Sequence, residues 1–589
     1  MSPLVGPLLQ NLCLSAGNNT ELCYCLKAWA SLPHNLREGG HFSKSDALQA
    51  SAVVDRMRRA VAELSDSMSE HLQPAAAQIG GALECENWAV ELFSEEVVRS
   101  SSAFAVSLAL SVLDPVIRAT AELGSWQIIS PVTETTGRLA IADELYPIQD
   151  EVFPEPTLLL AKSVSGEEEI PENCVGVITP DSPDVLSHIS VRARNSKTLL
   201  ATCFSEEPLA DLRKLSGRPV KITTTARGDV EFREVGEAEL TAVGSSSGPG
   251  SQEQRKVTKI KVPVWSGKWA VGMDAFKDNV VGAKSKNLAA MRGKIPDSIG
   301  VPASVTLPFG CYEECLKHRL NAQVSKEIVA LLDSLKSGGA DLESTLQQCK
   351  DLAMGIEVPE ALCSELSEQM RLSGIDWPEG GERWHAALTA VKSVWASQYN
   401  LRAFVSLKKA GLNFRDIRMA VLVQRMADAQ YSFVIHTTNP ATGDSGEIYA
   451  EVVRGLGEVL VGNYPGRAFS FTGRKDRLDE PNVEAFPSKS VGLFHSESLI
   501  FRSDSNGEDL DGYAGAGLYD SVPMDETEER PVDYSSDPLL TDVAFQQKMM
   551  ADVLRTGAAI ERSLGSPQDI EGCIDSEGRI IVVQTRPQV

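Results

Sequence analysis

The chain has 589 residues, 42% of them hydrophobic, and carries a formal net charge of −25 at pH 7. Its length predicts roughly four domains of ordinary size, each able to bury a core. The negative charge argues against nucleic acid and anionic membranes as partners, because dense Lys and Arg normally bind such polyanions, and leaves a neutral polysaccharide possible.

The N-terminal segment shows no targeting signal. Met1 to Leu14 is partly apolar, but it lacks the charged front of a secretory signal and the Ser- and Arg-rich length of a plastid transit peptide. We find no apolar run long enough to cross a bilayer and expect no membrane insertion. The 11 Cys residues are scattered without metal-ligand spacing, which favours reduced thiols in an intracellular compartment.

Helical periodicity dominates the first part of the chain, where Val54, Met57 and Val61 recur on one face. Such a stripe is typical of the core of a helical bundle. We predict a helical domain over residues 1–125, without catalytic residues.

Short apolar runs separated by Pro- and Gly-marked turns follow from Trp126. They predict a compact β/α domain over residues 126–240. Residues 241–261 are rich in Gly, Ser and charge and predict a flexible linker. From residue 262 to residue 589 an α/β pattern returns, with a charged helical insert at Ser325 to Gln369, and we predict an ATP-grasp-like nucleotide-binding domain.

His188 is the candidate phosphoryl carrier of the β/α domain. It follows a proline-broken loop and precedes Arg192 and Arg194. A neutral imidazole attacks phosphorus well, and the two guanidiniums would support the phosphate through bidentate hydrogen bonds. The alternative is an ordinary histidine on the surface or in the core.

Lys284 lies in the segment Gly282-Ala283-Lys284, which resembles a loop that feeds a helix. The ammonium group and the N–H groups of the helix start could together neutralise phosphate oxygens. An ordinary solvated lysine is the alternative interpretation.

A stronger nucleotide signal runs from Arg502 through small hydroxyl residues to a glycine run that includes Gly515 and Gly517. Glycines let a loop approach polyphosphate closely, where larger side chains would block the backbone. A flexible turn is the alternative.

Glu571 and Gln584 lie on two segments that predict neighbouring strands near the C-terminal end of the sequence. Both side chains offer oxygen ligands suited to Mg²⁺, and Arg586 could lie against a transferring phosphoryl group. Solvent-facing side chains on two strands are the alternative.

Several segments together resemble the α-glucan water dikinases, the starch-phosphorylating enzymes. They are Ile129-Ser130-Pro131, Glu167 to Pro171, the His188 loop, Ala201 to Phe204, Arg502 to Val522 and Gln584-Thr585-Arg586-Pro587. The resemblance implies a swivelling phosphohistidine domain and transfer of the ATP β-phosphate to His188, then to a glucose unit of an α-glucan, while the γ-phosphate goes to water.

The resemblance also implies site residues and a compartment. It makes Arg586 catalytic, Glu571 and Gln584 metal ligands, and Lys284 a nucleotide ligand. Ala420 to Met426 resembles the hinge strand that contacts adenine, which points to Gln424 and Met426, with Glu458 near ribose or metal. ATP, Mg²⁺ and a starch surface are the implied substrate, cofactor and partner. The implied compartment is the plastid, with the cytoplasm as the alternative.

One position departs from the family pattern. Plant members often carry a Cys-x-x-x-Cys pair after the carrier histidine, and this chain has Leu199 in place of the first cysteine while it keeps Cys203. We therefore expect no redox control through that disulfide.

Three alternatives stay open. A phosphoglucan water dikinase is the nearest, and a non-catalytic regulatory paralogue belongs to a different class. A pyruvate-type dikinase is less favoured, because the sequence stops at Val589 without a barrel domain for the ketoacid.

Overall fold

The protein is described by a computed structural model. The described residues are 2–17, 19–130, 132, 134–181, 183, 188–224, 230–237, 239–240, 260–335, 341–378, 380–462, 464–495, 498–510, 513–514 and 517–588. Residues 241–259 of the predicted linker, and Gly515, lie outside them.

The N-terminal part is a helical bundle. Its helices are α1 (Ser2–Ser15), α2 (Thr20–Ser31), α3 (His34–Arg37), α4 (Lys44–Ala82), α5 (Asn87–Glu91), α6 (Phe93–Arg99) and α7 (Ser102–Thr120). Helix α4 begins with a capping box, in which the N–H of Asp46 donates to Ser43 Oγ (3.1 Å) and the N–H of Ser43 donates to Asp46 Oδ2 (3.0 Å). The predicted stripe is core, since Val54, Met57 and Val61 are buried.

Helix α7 corrects the expectation that no apolar run is long enough to cross a bilayer. Among the described residues it is long and apolar enough, by length and composition, to cross a membrane. The sequence expectation missed this segment because Asp114, Pro115 and Arg118 interrupt its C-terminal half. Core helices of bundles meet the same criterion, and Ala103, Val106 and Leu110 of α7 are buried against the other helices, so the criterion alone assigns no membrane segment.

The next part is a mixed sheet with the strand order β1-β5-β4-β3-β2-β6-β7. Its elements are β1 (Trp126–Ser130), β2 (Glu134–Glu144), β3 (Val152–Ser163), β4 (Glu172–Thr179), α8 (His188–Asn195), β5 (Leu199–Cys203), α9 (Glu206–Lys214), β6 (Pro219–Thr224) and β7 (Val230–Glu234). Strands β2, β3, β4 and β5 are parallel, as expected for buried apolar runs joined by crossovers. We call this part the carrier domain.

A second sheet has the order β20-β17-β11-β10-β8. Its strands are β8 (Val271–Gly272), β10 (Ser304–Leu307), β11 (Met419–Arg425), β17 (Leu499–Ser505) and β20 (Ser521–Pro523), and its helices are α10 (Ala283–Met291), α11 (Cys311–Lys317), α12 (Ala322–Ser334), α13 (Leu342–Met354), α14 (Glu360–Leu372), α15 (Gly381–Ala396) and α16 (Leu401–Lys409). The helical insert therefore extends to Lys409, beyond the predicted end at Gln369.

A third sheet has the order β15-β14-β13-β12-β22-β23-β9. Its strands are β9 (Ile299–Gly300), β12 (Ala429–His436), β13 (Glu447–Arg454), β14 (Phe469–Arg474), β15 (Asn482–Ala485), β22 (Gln568–Asp575) and β23 (Ile580–Pro587). One face is apolar and packs against α19, the helix Val543–Leu564. The opposite face carries polar side chains and faces the second sheet. We call the space between the second and third sheets the cleft.

Short elements complete the fold. They are α17 (Glu458–Val461), α18 (Pro538–Thr541), the strand pair β16 (Val491–Phe494) and β21 (Glu528–Pro531), the pair β18 (Asp509–Leu510) and β19 (Tyr513–Ala514), and the 3₁₀ turns Tyr146–Ile148, Met273–Ala275, Arg319–Asn321, Ser397–Tyr399, Phe414–Asp416 and Tyr534–Ser536.

The helical bundle shares a core with the third sheet. Ala47, Leu48 and Ala52 of α4 belong to the same buried cluster as the aromatic side chains of β14. Ser488 adds polar contacts to α4, since its hydroxyl donates to Asp55 (2.5 Å) and its carbonyl accepts from Arg59 (2.5 Å). The carrier domain is thus inserted in sequence between two segments that pack together.

Candidate active site

Arg502, Glu571 and Gln584 meet where the second sheet faces the third. Arg502 Nη2 donates to Glu571 Oε2 (3.1 Å) and to Gln584 Oε1 (2.7 Å). The Arg502 side chain is 13% exposed, and its buried Nε has no hydrogen-bond partner among the described residues. The structure therefore brings together three residues singled out in the sequence, from segments about 70 to 80 positions apart.

Glu571 and Gln584 share one face because they are direct partners in the register of β22 and β23. Gln584 Nε2 donates to Glu571 Oε1 (3.1 Å). Within the described residues no group of three or more His, Cys, Asp or Glu side chains could by itself hold a metal ion. The pair offers two protein oxygens, which fits Mg²⁺ because that ion commonly takes one or two protein ligands together with substrate phosphates and water.

Arg586 lies one step along the same face. Both Nε (2.8 Å) and Nη2 (2.5 Å) donate to Asp569 Oδ2. Asp569 is 9% exposed and stands directly opposite Arg586 in the strand pair. The carboxylate of Asp569 therefore fixes the orientation of the Arg586 guanidinium on this face.

Lys284 is the second residue of α10, and its ammonium group is held by the second sheet. Nζ donates to both carboxylate oxygens of Glu508 (2.9 and 2.8 Å) and to the carbonyl oxygen of Ser503 (2.7 Å). The pair is largely buried, with 17% and 6% of the side chains exposed. A phosphate that binds Lys284 would compete with Glu508.

The N–H groups at the start of α10 already have an anionic partner. Asp504 accepts from the N–H of Gly282 and of Lys284 (2.9 Å each) and from the hydroxyl of Ser285 (2.6 Å). Burial raises the pKa of Asp504 above its ordinary value despite these donors. The sequence interpretation placed phosphate on these N–H groups, whereas the structure gives them to a protein carboxylate.

The opposite end of the cleft is apolar. Met426 is 8% exposed and packs in one cluster with Val434, Leu456 and Cys573. Its N–H donates to the carbonyl of Ser498 (3.0 Å). Gln424 is buried in β11 between β10 and β17, and its side-chain amide donates to Ser304 Oγ (3.2 Å). Both candidate hinge residues are buried, and the Met426 N–H is used within the protein.

Glu458 and Gly517 are two further nucleotide candidates, and both are exposed. Glu458 is exposed at the start of α17, and Gly517 is exposed with φ of +73°, a conformation that favours glycine. No described contact joins either residue to Arg502.

His188 is the first residue of α8, and the side chains of His188 and Arg194 lie outside the described residues. Arg192 forms an ion pair with Glu169 (3.0 Å) and donates to the hydroxyl of Ser406 in α16. Helix α8 of the carrier domain is therefore docked against the helical layer of the second sheet.

Leu199 and Cys203 are both buried in β5. Cys203 Sγ donates to the carbonyl of Ser205 (3.2 Å), and burial raises the pKa of the thiol. No cysteine among the described residues forms a disulfide, and all 11 lie within the described ranges.

Sequence reasoning missed the partners of its own candidates. Asp504 and Glu508 lay inside a segment interpreted as a phosphate loop, and they instead hold α10 and Lys284, which are more than 200 positions earlier. Asp569 carried a usable signal, because it is two residues before Glu571 on a predicted strand and so shares its face.

Comparisons with known proteins extend these observations. Residues 125–241 match the family described as "Alpha-glucan water dikinase, phosphohistidine-like domain", and residues 382–589 match "Pyruvate phosphate dikinase, AMP/ATP-binding domain".

Two relatives match 99% of this chain. "Alpha-glucan water dikinase, chloroplastic" of Solanum tuberosum is 49% identical over 99% of this chain, and "Alpha-glucan water dikinase 2" of Arabidopsis thaliana is 40% identical over 99%. The chain spans 39% and 44% of the lengths of these two proteins. "Rifampicin phosphotransferase" of Streptomyces is 30% identical over 34% of the chain and 19% of its own length.

Proposed function

The chain belongs to the α-glucan water dikinase family, and on this premise we propose that it phosphorylates an α-glucan through a phosphohistidine at position 188. The predicted family membership is confirmed by the similarity over 99% of the chain. The observation that carries the proposal is that one chain holds both the side-chain cluster of Arg502, Glu571, Gln584 and Arg586 and a phosphohistidine-like domain whose Arg192 contacts the second sheet's helical layer.

ATP would bind between the second and third sheets in an ATP-grasp-like arrangement. Met426 and Leu456 belong to one buried apolar cluster, which would suit a base bound nearby, and Glu571 and Arg586 offer charged groups that would suit a metal-bound polyphosphate. Mg²⁺ bound by Glu571 and Gln584 would neutralise phosphate charge when present. Arg502 and Lys284 would turn from their present carboxylate partners toward the phosphates.

The reaction would proceed by attack of the neutral imidazole of His188 on the β-phosphorus. A P–N bond forms as the bond between the β-phosphorus and the oxygen bridging it to the α-phosphate breaks, so that AMP leaves and the β- and γ-phosphates stay on the histidine. Water would then attack the γ-phosphorus as its bond to the β,γ-bridging oxygen breaks, which releases inorganic phosphate and leaves the β-phosphate on His188. A glucose oxygen would then form a bond to the phosphorus as the P–N bond breaks, and the hydroxyl proton would pass to the imidazole of His188. Arg586 would stabilise the charge that develops in the first transfer, and Arg192 and Arg194 would support the loaded phosphate.

The carrier domain would swivel to deliver the phosphoryl group to an acceptor away from the nucleotide. Arg192 would leave Ser406 when the domain departs. This division keeps a bulky polysaccharide away from the nucleotide.

The acceptor would be an unphosphorylated α-glucan at a starch surface, and the compartment would be the plastid. Support comes from the printed name of the potato relative, which includes "chloroplastic". A phosphoglucan acceptor, a regulatory paralogue and a cytoplasmic location are the alternatives.

The test is labelling with β-³²P-ATP and Mg²⁺ in the absence of glucan. We expect an acid-labile, alkali-stable label on the protein, its transfer to added amylopectin, and release of label from γ-³²P-ATP to water. His188→Ala should abolish both the labelling and the transfer, whereas His71→Ala, an exposed residue of α4, should keep them. Glucan phosphorylation that persists in His188→Ala, or γ-label on the glucan, would overturn the proposal.

A further inference from the structure

The last strand, β23, has an open edge beside the candidate active site. In the described part of the chain β22 pairs with β23 from Ile580 to Pro587 on one side, whereas β9 pairs on the other side only at Ile580 and Ile581. Backbone groups that face outward beyond Ile581 therefore need partners other than a strand. This stretch carries Gln584 and Arg586.

The pairing of β23 with β22 is also interrupted next to Gln584. Glu571 lies opposite Gln584, but the next residue, Gly572, lies opposite Val582, so Val583 is an extra residue in β23. Such a bulge leaves one residue out of the ladder and bends the strand. The neighbouring strand therefore constrains the backbone at Gln584 less than it would in a regular ladder.

Asn287 of α10 supplies a hydrogen bond at this open edge. Its side chain is half-buried, and Nδ2 donates to the carbonyl oxygen of Thr585 (2.8 Å), the residue between Gln584 and Arg586. The Thr585 side chain is fully buried, and its hydroxyl donates to Gln568 Oε1 (2.9 Å). Thr585 is thus held by α10 and by β22, while the side chains on either side of it project from the opposite face of the strand.

Helix α10 is a firm support for this contact because it is bound to both sheets. At its start, the N–H groups of Gly282 and Lys284 donate to Asp504 of β17, the strand that also carries Arg502. The approach is so close that a Cβ at Gly282 would collide with the carboxylate and the carbonyl oxygen of Asp504. Later residues of the helix are buried in the apolar cluster of the third sheet, namely Leu288 and Met291. The helix that carries Asn287 therefore ties the two sides of the cleft together.

We propose that Asn287 is a positioning residue, which holds the backbone of β23 so that Gln584 and Arg586 meet the phosphates from a fixed place. The inference rests on the proposed function and adds a residue that acts through the backbone of β23. Placement matters for such a reaction, because a displacement of about 1 Å can lower a rate by roughly 10²-fold. Loss of this one hydrogen bond should therefore slow the transfer in molecules that are still folded.

The first test is single-turnover labelling of Asn287→Leu by β-³²P-ATP. Leucine suits a helix and has a similar size, but it cannot donate to the carbonyl of Thr585. We expect the labelling rate to fall about tenfold, while the final amount of label and the nucleotide dissociation constant change less than about twofold. A merely structural role would instead lower the final amount of label and leave the rate of the folded molecules unchanged.

Two further variants locate the effect. Asn482→Leu is the matched control, since it removes an exposed amide that donates to Glu484 (2.7 Å) on β15, at the far edge of the same sheet. It should label as the unmodified chain does. If Asn287 acts through Gln584 and Arg586, the loss in the double variant Asn287→Leu/Arg586→Ala should be smaller than the product of the two single losses.

Hydrogen exchange of the full chain measures the hold on β23 without any reaction. We expect the peptide that contains β23 to exchange roughly fivefold faster in Asn287→Leu, and the peptide that contains β15 to stay unchanged. Unchanged exchange of β23 overturns the inference. So does an undiminished labelling rate in Asn287→Leu, an equal slowing in Asn482→Leu, or a fully multiplicative loss in the double variant. An unmodified chain that takes no label would reject the proposed function instead, and exchange would still show whether Asn287 holds β23.

Discussion

Arg502 spans the cleft and donates through one nitrogen to both Glu571 Oε2 (3.1 Å) and Gln584 Oε1 (2.7 Å). A guanidinium thus lies against the two oxygens proposed to bind Mg²⁺. Under the proposed function, Mg²⁺ at these oxygens would displace this contact, and the Arg502 side chain would reorient when the nucleotide binds.

Arg502→Lys tests that reorientation. The ammonium keeps the charge but loses the planar fork, so we expect a fall of roughly 10²-fold in the rate of protein labelling by β-³²P-ATP. Rapid-quench labelling measures the rate. Arg474→Lys, at the half-exposed end of β14, is the matched control and should change the rate less than about twofold. Equal rates for Arg502→Lys and the unmodified chain would show that the fork has no role.

Arg586→Ala should lower the rate of phosphoenzyme formation by roughly 10²-fold or more, with a much smaller effect on the nucleotide dissociation constant. The reason is that a guanidinium held by Asp569 is preorganised for charge that appears only during transfer. Single-turnover labelling and equilibrium dialysis separate the two quantities. Similar small losses in both would assign Arg586 a structural role.

Asp504→Asn should change how stability depends on pH. Because burial raises the pKa of Asp504, the carboxyl group stabilises the fold at low pH and loses that contribution as the pH rises through its folded-state pKa. We expect the free energy of unfolding of the unmodified chain, minus that of Asp504→Asn, to fall as the pH rises above about 4. Urea denaturation at several pH values measures this difference.

Asp278→Asn provides a control of opposite sign. A hydrogen bond from Lys286 lowers the pKa of Asp278, so the corresponding difference should rise with pH from below about 4, and only slightly because the pair is exposed. A difference for Asp504→Asn that stays flat or rises would reject the buried-carboxyl explanation.

Mild oxidation should leave the activity unchanged. Leu199 replaces one partner of the family disulfide, and burial raises the pKa of Cys203, which disfavours its reactive thiolate. Activity measured across a series of defined redox potentials, with Cys203→Ser in parallel, checks this expectation. A reversible oxidative loss that Cys203→Ser prevents would contradict it.

Local features could be predicted well from the sequence, whereas contacts between residues far apart along the chain could not. The helical stripe of Val54 and Met57 and the strand pair of Glu571 and Gln584 follow periodicities of a few residues, which the sequence displays directly. The N–H of Gly282, at the start of α10, donates to Asp504, which lies 222 positions later. No local pattern in either segment predicts this contact.

A cavity of about 390 Å³ between the carrier domain and the third sheet was beyond sequence reasoning for the same reason. Its walls come from β1, β13 and the end of α7, and each wall residue has an ordinary local explanation as core or surface. Only the docking of one part of the chain on another brings them together.

The shared core of α4 and the third sheet has a consequence for the range of the proposed swivel. Ala47, Leu48 and Ala121 are buried in that core, so the N-terminal end of the carrier domain is attached directly to the part of the chain that contains the third sheet. Its N-terminal attachment is the short segment from Ala121 to Trp126, which even fully extended spans less than about 20 Å. The proposed swivel would therefore be limited at this end by the length of that segment, and a glucan acceptor would have to come within that range.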